Sequence, residues 1–247
     1  MSFFDHKVAL VTGGASGIGL SIIQKLLQNG IKGVTGVDIS DEDLEKAEKV
    51  CNTNYPNKTL FMKVDVTKPQ HLEDAFEKTI HKFKNLDVVV NNAGIIDEVQ
   101  WEKTLAVNLE AVIRGCYLAK DKYFPSYKSG DEGIIINVSS VTGFKVVENM
   151  PVYCATKHGV IGLGKALGAQ NSKTKVITIC PGLVSTSLHQ KIVALKPTIP
   201  NWADSVRSLK PTSPEFLAES VIKLMREGKH GSIWMIENEN LPYEVNY

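Results

Sequence analysis

Lys7-Val8-Ala9-Leu10-Val11-Thr12-Gly13-Gly14-Ala15-Ser16-Gly17-Ile18-Gly19 is the stretch that decides the fold. Lys7 to Thr12 is short, apolar and rich in β-branched residues, as a buried strand requires. Leu20 to Gln28 then carries helical periodicity and stops at Asn29-Gly30. Glycines in a strand-to-helix turn let the backbone bend tightly and approach a ligand closely. The helix N-terminus behind them offers free amides and positive dipole to a pyrophosphate. The spacing is Gly-x-x-x-Gly-x-Gly, not the commoner Gly-x-Gly-x-x-Gly. A glycine-rich hairpin is the alternative, and the strand before and helix after argue against it. The candidate phosphate contacts are Gly13, Ser16, Gly17, Ile18 and Gly19.

A second strand, Gly33 to Val37, ends in Asp38. A carboxylate there would accept hydrogen bonds from adenosine ribose hydroxyls and repel a 2′-phosphate. No Arg or Lys stands at Ile39 or in the glycine turn, so the expected cofactor is NAD rather than NADP. The other role open to Asp38 is to cap a helix starting near Asp41; its place at a strand's C-terminal end favours the ribose.

Further along, strands are expected at Thr59–Val64, Leu86–Val90, Gly133–Val138, Lys175–Cys180 and Ser232–Ile236. Helices are expected near Asp41–Asn52, Gln70–Lys84, Trp101–Tyr123, Val152–Gln170 and Pro214–Glu227. Such alternation means a parallel sheet covered on both faces, with ligands outside the strands' carboxyl ends. The fold class is therefore α/β, a doubly wound parallel sheet of about seven strands, in one domain over residues 1–247. The segment 185–211 is broken by Pro197, Pro200 and Pro211, and reads as a lid over substrate or as a plain surface loop.

Composition agrees with an ordinary globular enzyme. A chain of 247 residues can bury one large core. Its net charge of +1 favours neither nucleic acid nor an anionic membrane as a partner. No stretch is apolar enough for a leader or a membrane span. Cys51, Cys116, Cys154 and Cys180 show no metal-ligand spacing, so no metal is expected and a reduced, cytoplasmic setting fits.

Tyr153-Cys154-Ala155-Thr156-Lys157 places a phenol and an ammonium one helical turn apart, with Ser140 upstream. A phenol of pKa about 10 is no base at neutral pH. Lowering it to roughly 7 takes about 4 kcal/mol, which a close cation and a cationic cofactor ring would supply. Taken alone, Tyr-x-x-x-Lys is a weak signal, since any surface helix can carry it.

Together these motifs resemble the short-chain dehydrogenase/reductase family. The resemblance runs from Thr12-Gly13 and Gly17-Ile18-Gly19 through Asn91-Asn92-Ala93-Gly94, Asn108, Ser140, Tyr153 and Lys157 to Pro181-Gly182, nearly the whole chain. It implies a Rossmann-type domain, hydride transfer with NAD, and a catalytic set of Ser140, Tyr153, Lys157 and Asn108. Tyr153 would be the general base, Lys157 would bind the cofactor ribose and acidify Tyr153, and Asn108 would distort its helix and hold a water near Lys157. The resemblance further implies cofactor contacts from Ile39, Asp65, Val66, Asn91, Ala93, Gly94, Pro181, Gly182, Val184 and Thr186. For Asp65, capping the next helix is an equally good reading. Ser139 reads as structural and His158 as a packing residue. Family members pair through the helices matching Trp101–Tyr123 and Val152–Gln170, so a homo-oligomer, dimer or tetramer, is expected.

Within the family, Ile96 to Thr104 is similar to NAD-dependent prostaglandin dehydrogenases and to insect alcohol dehydrogenases. Gly133–Asn137 and Pro151–Gly159 lean to the former, Gly228–Trp234 to the latter. One departure is Met150, where the prostaglandin enzymes carry a polar amide near substrate. An apolar Met there suits a hydrophobic secondary or allylic alcohol, oxidised to its ketone. Val146, Val147, Leu188 and Trp202 would complete the wall or else belong to the core. Two alternatives stay open: a carbonyl reductase running in reverse, and a catalytically silent NAD or hydrophobic-ligand binder.

Overall fold

Ala9 and Val11 pack on one face of the first strand and Leu10 on the other, the period-two alternation of a pleated sheet buried on both sides. The same division separates Val88 and Val90 from Val89, and Ile134 and Ile136 from Ile135. The computed structural model describes residues 3–170, 172–188 and 211–246. In it β1 (Val8–Thr12), β2 (Gly33–Asp38), β3 (Thr59–Lys63), β4 (Val88–Asn91), β5 (Gly133–Val138), β6 (Thr174–Pro181), β7 (Ile233–Ile236) and β8 (Tyr243–Glu244) form one sheet. Their order is β3-β2-β1-β4-β5-β6-β7-β8. All neighbours are parallel except β7 and β8. The eighth strand was not expected from sequence. It has two exposed residues and no apolar run to announce it.

Helices α1 (Gly17–Gln28) and α8 (Pro214–Glu227) cover one face, with Ile22, Ile23, Leu26, Leu217, Val221 and Met225 buried against the sheet. On the other face lie α3 (Pro69–Phe83), α5 (Ala111–Tyr117) and α7 (Pro151–Gly168), through Leu72, Phe76, Val112, Val160 and Leu167. Between β2 and β3, α2 (Asp41–Asn54) takes its N-cap from Ser40, whose hydroxyl accepts from the Asp43 amide at 3.2 Å. Asp38 is therefore not that helix's cap.

The expected helix over Trp101–Tyr123 is helical but not uniform. It runs as α4 (Trp101–Leu105), a π turn (Ala106–Glu110), α5, a second π turn (Leu118–Tyr123) and α6 (Phe124–Tyr127). In each π turn a backbone amide bonds five residues back, Ala111 to Ala106 and Phe124 to Ala119. One extra residue per turn re-aims a side chain, and such bulges gather at functional sites. Asn108 lies in the first of them.

Strand order reverses between β1 and β4, so the crevice at their carboxyl ends is the topological switch point where doubly wound sheets take ligands. Thr12 and Asn92 fasten it. The Thr12 hydroxyl accepts from the amides of Asn92 (3.0 Å) and Ala93 (3.1 Å). The Asn92 side-chain amide donates back to the carbonyls of Thr12 (2.9 Å) and Gly13 (3.0 Å).

Candidate active site

Gly13 and Gly17 sit at φ +61° and +50°, left-handed backbone that side chains avoid. They wrap the turn around the N-terminus of α1. Ser16 precedes that helix without making a side-chain cap, and the first turn holds no acidic residue. The leading amides are thus left for an anion. A side chain at Gly17 would meet the Thr186 methyl at 3.1 Å, so the segment after β6 closes on the glycine turn. Pro181-Gly182 and Val184 lead into it, with the Gly182 amide bonded to Ile236 at 2.9 Å.

Asp38 ends β2 facing this turn. Its carboxylate accepts from the amides of Ala15 (3.2 Å), Ile39 (2.8 Å) and Ser40 (3.3 Å). A carboxylate has about four lone-pair sites, so acceptor capacity remains for a diol. Beyond it Ile39 is 58% exposed, a flat apolar surface beside the turn. Asp65 caps no helix either. It accepts from the amide (3.0 Å) and hydroxyl (2.7 Å) of Thr67, shaping the loop after β3, while Lys68 occupies the N-cap position of α3. These groups fit a dinucleotide: glycine backbone for the diphosphate, Asp38 for a ribose, and the Asp65-Val66 and Asn92–Gly94 backbones along the crevice.

Ser140 leaves the end of β5, and Tyr153 and Lys157 rise from the first two turns of α7. All three are buried, at 8%, 8% and 4% exposure. The Ser140 hydroxyl lies close enough to Tyr153 to favour its ionised form and accepts from the Thr142 amide at 3.1 Å. The Lys157 ammonium lies 5.5 Å from the Tyr153 ring centroid and donates to the Val138 carbonyl at 3.0 Å. Asn108 is fully buried. It accepts from the Ile95 amide at 2.9 Å and donates to the Ile95 carbonyl at 2.8 Å. A side chain at Gly94 would stand 3.5 Å from the Asn108 oxygen and 3.6 Å from the Lys157 nitrogen, so these polar groups converge on one spot.

The neighbours of this set have plain structural roles. Ser139 donates to the Lys157 carbonyl at 2.8 Å, tying β5 to α7. A ring nitrogen of His158 bonds the Cys154 carbonyl at 2.8 Å, one turn back and away from the phenol. Asn91 is more deeply engaged than expected of a cofactor contact. Its side-chain amide donates to Asn137 at 2.9 Å, in a buried cluster with Cys116, so only its backbone is left for a ligand. Met150 is buried at the N-cap of α7 rather than open on a wall, whereas Val146 is 82% exposed and Val147 and Leu188 are half-buried. Trp202 and most of the expected lid, 189–210, lie outside the described residues.

With this geometry in view, comparison with known proteins is decisive. The sequence profile of a family described as short chain dehydrogenase matches residues 7–196. The chain belongs to that family. It is 44% identical over 193 residues to the human protein named 15-hydroxyprostaglandin dehydrogenase [NAD(+)], covering 76% of this chain and 72% of the other. The rat and mouse proteins of that name are each 43% identical. The crystal structure of levodione reductase superposes with a TM-score of 0.82 at 24% identity, over 95% of this chain and 97% of that one, and supports the fold.

Electrostatics of this family member correct one expectation. Lys157, together with the positive ring of a bound cofactor, is expected to lower the Tyr153 pKa; without the cofactor the lysine does not. Among the protein's own groups burial wins: it pushes the phenol up to about 12, with the Ser140 hydrogen bond working the other way. Burial likewise drives Lys157 down to about 8. The lysine nitrogen, 5.5 Å from the ring centroid, spends its hydrogen bond on the Val138 carbonyl and not on the phenol. Stability should follow. An unfolded Lys157 would keep its proton to about 10.5 while the folded one loses it from about 8, so its contribution to stability rises with pH across that window. Tyr153 reverses the trend from about 10 to 12, where only the folded phenol stays protonated. Burial also raises the Cys116 and Cys180 thiols to about 12, which lowers stability as pH rises above about 9. Urea midpoints of cofactor-free protein should therefore climb only between about pH 8 and 9 and fall beyond, and Lys157→Met should remove the climb.

Sequence reasoning overlooked Glu98. Its carboxylate accepts from the amides of Val152 (3.1 Å) and Tyr153 (2.9 Å), 54 and 55 residues away. Only its place between the Asn91–Gly94 motif and α4 hinted at a role. Thr12 and Asn92 both fall within the motifs quoted from the sequence, but nothing in those motifs shows that the two side chains clasp one another.

Proposed function

We propose that this protein oxidises a hydrophobic secondary or allylic alcohol to its ketone with NAD⁺, Tyr153 acting as general base. The observation that carries the reading is the convergence of buried Ser140, Tyr153 and Lys157 beside a glycine turn built for a dinucleotide. The relatives named for NAD(+) and a hydroxyprostaglandin support both the cofactor and the class of alcohol. Bound NAD⁺ supplies the hydride acceptor. The chain supplies the rest. Ser140 and Tyr153 hold the substrate oxygen between them, fixing the carbinol carbon in place. Tyr153 takes the hydroxyl proton. Lys157 contributes positive charge and a ribose contact, and Asn108, clamped to Ile95, keeps a water within reach of it. Exposed Val146, and not the buried Met150, would bias the entrance towards apolar substrates.

All four cysteines are unpaired and buried, which suits a reducing, cytoplasmic setting. Among the described residues no helix is long and apolar enough to cross a membrane, and no group of side chains is suited to hold a metal. Trp101, Leu105 and Tyr117, between 41% and 48% exposed along one helical run, would be covered by a second copy.

A panel of terpenoid, steroid, prostanoid and short aliphatic secondary alcohols, offered NAD⁺ or NADP⁺ and followed by absorbance of the reduced nicotinamide, tests the proposal. NAD⁺ should be preferred by about 100-fold or more, since setting Asp38 against a 2′-phosphate costs several kcal/mol. Tight NAD⁺ binding without turnover of any alcohol would instead leave a silent binding protein.

A further inference from the structure

The first turn of α7 has an unusual cap. Pro151 at N1 has no amide to satisfy, and Met150 at the N-cap offers no side-chain acceptor. The Cys154 amide closes on the Met150 carbonyl at 2.9 Å. That leaves the amides of Val152 and Tyr153, and the two oxygens of the half-buried Glu98 carboxylate take one each. A carboxylate with one oxygen on each of two successive amides fixes the rotation of the helix start as well as its position.

Glu98 is itself held rigidly. Asp97 accepts from the amides of Val99 (3.0 Å) and Gln100 (2.8 Å), and the Thr104 hydroxyl donates to the Asp97 carbonyl at 2.6 Å. Three residues upstream, Ile95 is gripped at both backbone groups by Asn108. The Asn108 side-chain amide also reaches the Thr156 hydroxyl at 3.4 Å, and that hydroxyl donates to the Tyr153 carbonyl at 2.7 Å. The contacts close a ring: Asn108 to Ile95, along the chain to Glu98, across to the Tyr153 amide, then from the Tyr153 carbonyl through Thr156 back to Asn108. Both backbone groups of Tyr153 belong to it.

We propose that Glu98 is a positioning residue of the active site, whose carboxylate sets where the Tyr153 phenol stands relative to Ser140 and Lys157. The inference rests on Tyr153 being the base. Loss of the clamp frees the first turn of α7, and a displacement near 1 Å at a reacting group lowers rate by about 100-fold. Gln at this position keeps one acceptor oxygen and loses the other, so it separates partial from complete loss.

Glu98→Ala and Glu98→Gln should be compared with wild type for kcat, KM for NAD⁺, thermal midpoint, and amide hydrogen exchange over residues 150–154. For Glu98→Ala the expected result is a fall in kcat of about 10- to 100-fold, with KM for NAD⁺ within about twofold. Exchange at the Val152 and Tyr153 amides should accelerate, and Glu98→Gln should fall between. Folded Glu98 variants that keep kcat within twofold of wild type overturn the inference, whatever their thermal midpoint; if the Ala variant does not fold, the Gln variant decides. Tyr153→Phe, assayed alongside, separates the two claims. Should it stay active, the proposed function itself fails. Should it be inactive while both Glu98 variants turn over normally, only the positioning role fails.

Discussion

Tyr153→Phe should cost at least about 1,000-fold in kcat while NAD⁺ affinity changes by less than about threefold. The substitution removes one oxygen from a ring that is 8% exposed, and phenylalanine fills almost the same volume. The backbone contacts of Tyr153, from its amide to Glu98 and from its carbonyl to Thr156, are untouched, so α7 should keep its setting. Lys157 keeps its bond to the Val138 carbonyl for the same reason. What disappears, on the proposed function, is the proton acceptor and the hydroxyl that would share the substrate oxygen with Ser140. General-base catalysis alone contributes about 100- to 10,000-fold. Stopped-flow assays for turnover and fluorescence quenching for NAD⁺ binding check the two halves separately. A variant retaining more than a few per cent of the wild-type rate would require another base, and among the described residues Lys157, driven down to about 8 by burial, is the candidate. Among the described residues, His158 beside Lys157 already spends a ring nitrogen on the Cys154 carbonyl.

Much of this molecule is legible locally, and the reasons are specific. The glycine turn is readable because left-handed φ values and close backbone packing admit almost nothing else at Gly13, Gly17 and Gly19. β1, β4 and β5 are readable because both of their faces are buried, so their valine and isoleucine runs are nearly continuous. Helix α8 matches its expected bounds because Ser213 caps it through the Phe216 amide and Gly228 ends it. What stays hidden depends on distance or on a balance of opposing terms. Glu98 caps a helix more than fifty residues on, and no local pattern marks a carboxylate for that. The π turn at Asn108 shows only as a poor helix former placed mid-helix, and that signal gives no hint of where the amide points. Tyr-x-x-x-Lys spacing correctly brings the two side chains near one another. It does not reveal that desolvation outweighs their attraction, because spacing carries no information about burial. Asn91 shows the same limit. Its motif places it at the crevice, while Asn137, on a strand over forty residues later, turns its side chain inward.

Gly19→Ala should abolish NAD⁺ binding, raising Kd by about 100-fold or more, and lower the thermal midpoint by several degrees. Two effects compete at this position. Alanine is the better helix former by about 1 kcal/mol, and Gly19 lies in the first turn of α1, so propensity favours the substitution. Sterics oppose it more strongly. A methyl group at Gly19 would lie 2.0 Å from the Gly13 carbonyl oxygen and 2.7 Å from the Asn92 side-chain nitrogen. Neither neighbour can yield cheaply: Gly13 is backbone in a left-handed turn, and the Asn92 amide is committed to the carbonyls of Thr12 and Gly13. Relief therefore means moving the turn away from α1 and breaking the clasp that joins β1 to β4. Overpacking of this kind costs about 1–3 kcal/mol, and the lost hydrogen bonds about 1 kcal/mol each. The net of roughly 2–3 kcal/mol corresponds to about 4–12 °C in a chain of this size. Binding suffers more than stability because the moved atoms are the ones that would face a diphosphate. Isothermal titration with NAD⁺ and a thermal melt of the same sample measure both effects. A variant that binds NAD⁺ as wild type does would mean that the diphosphate lies elsewhere, and with it the case for a dinucleotide at this switch point would be lost.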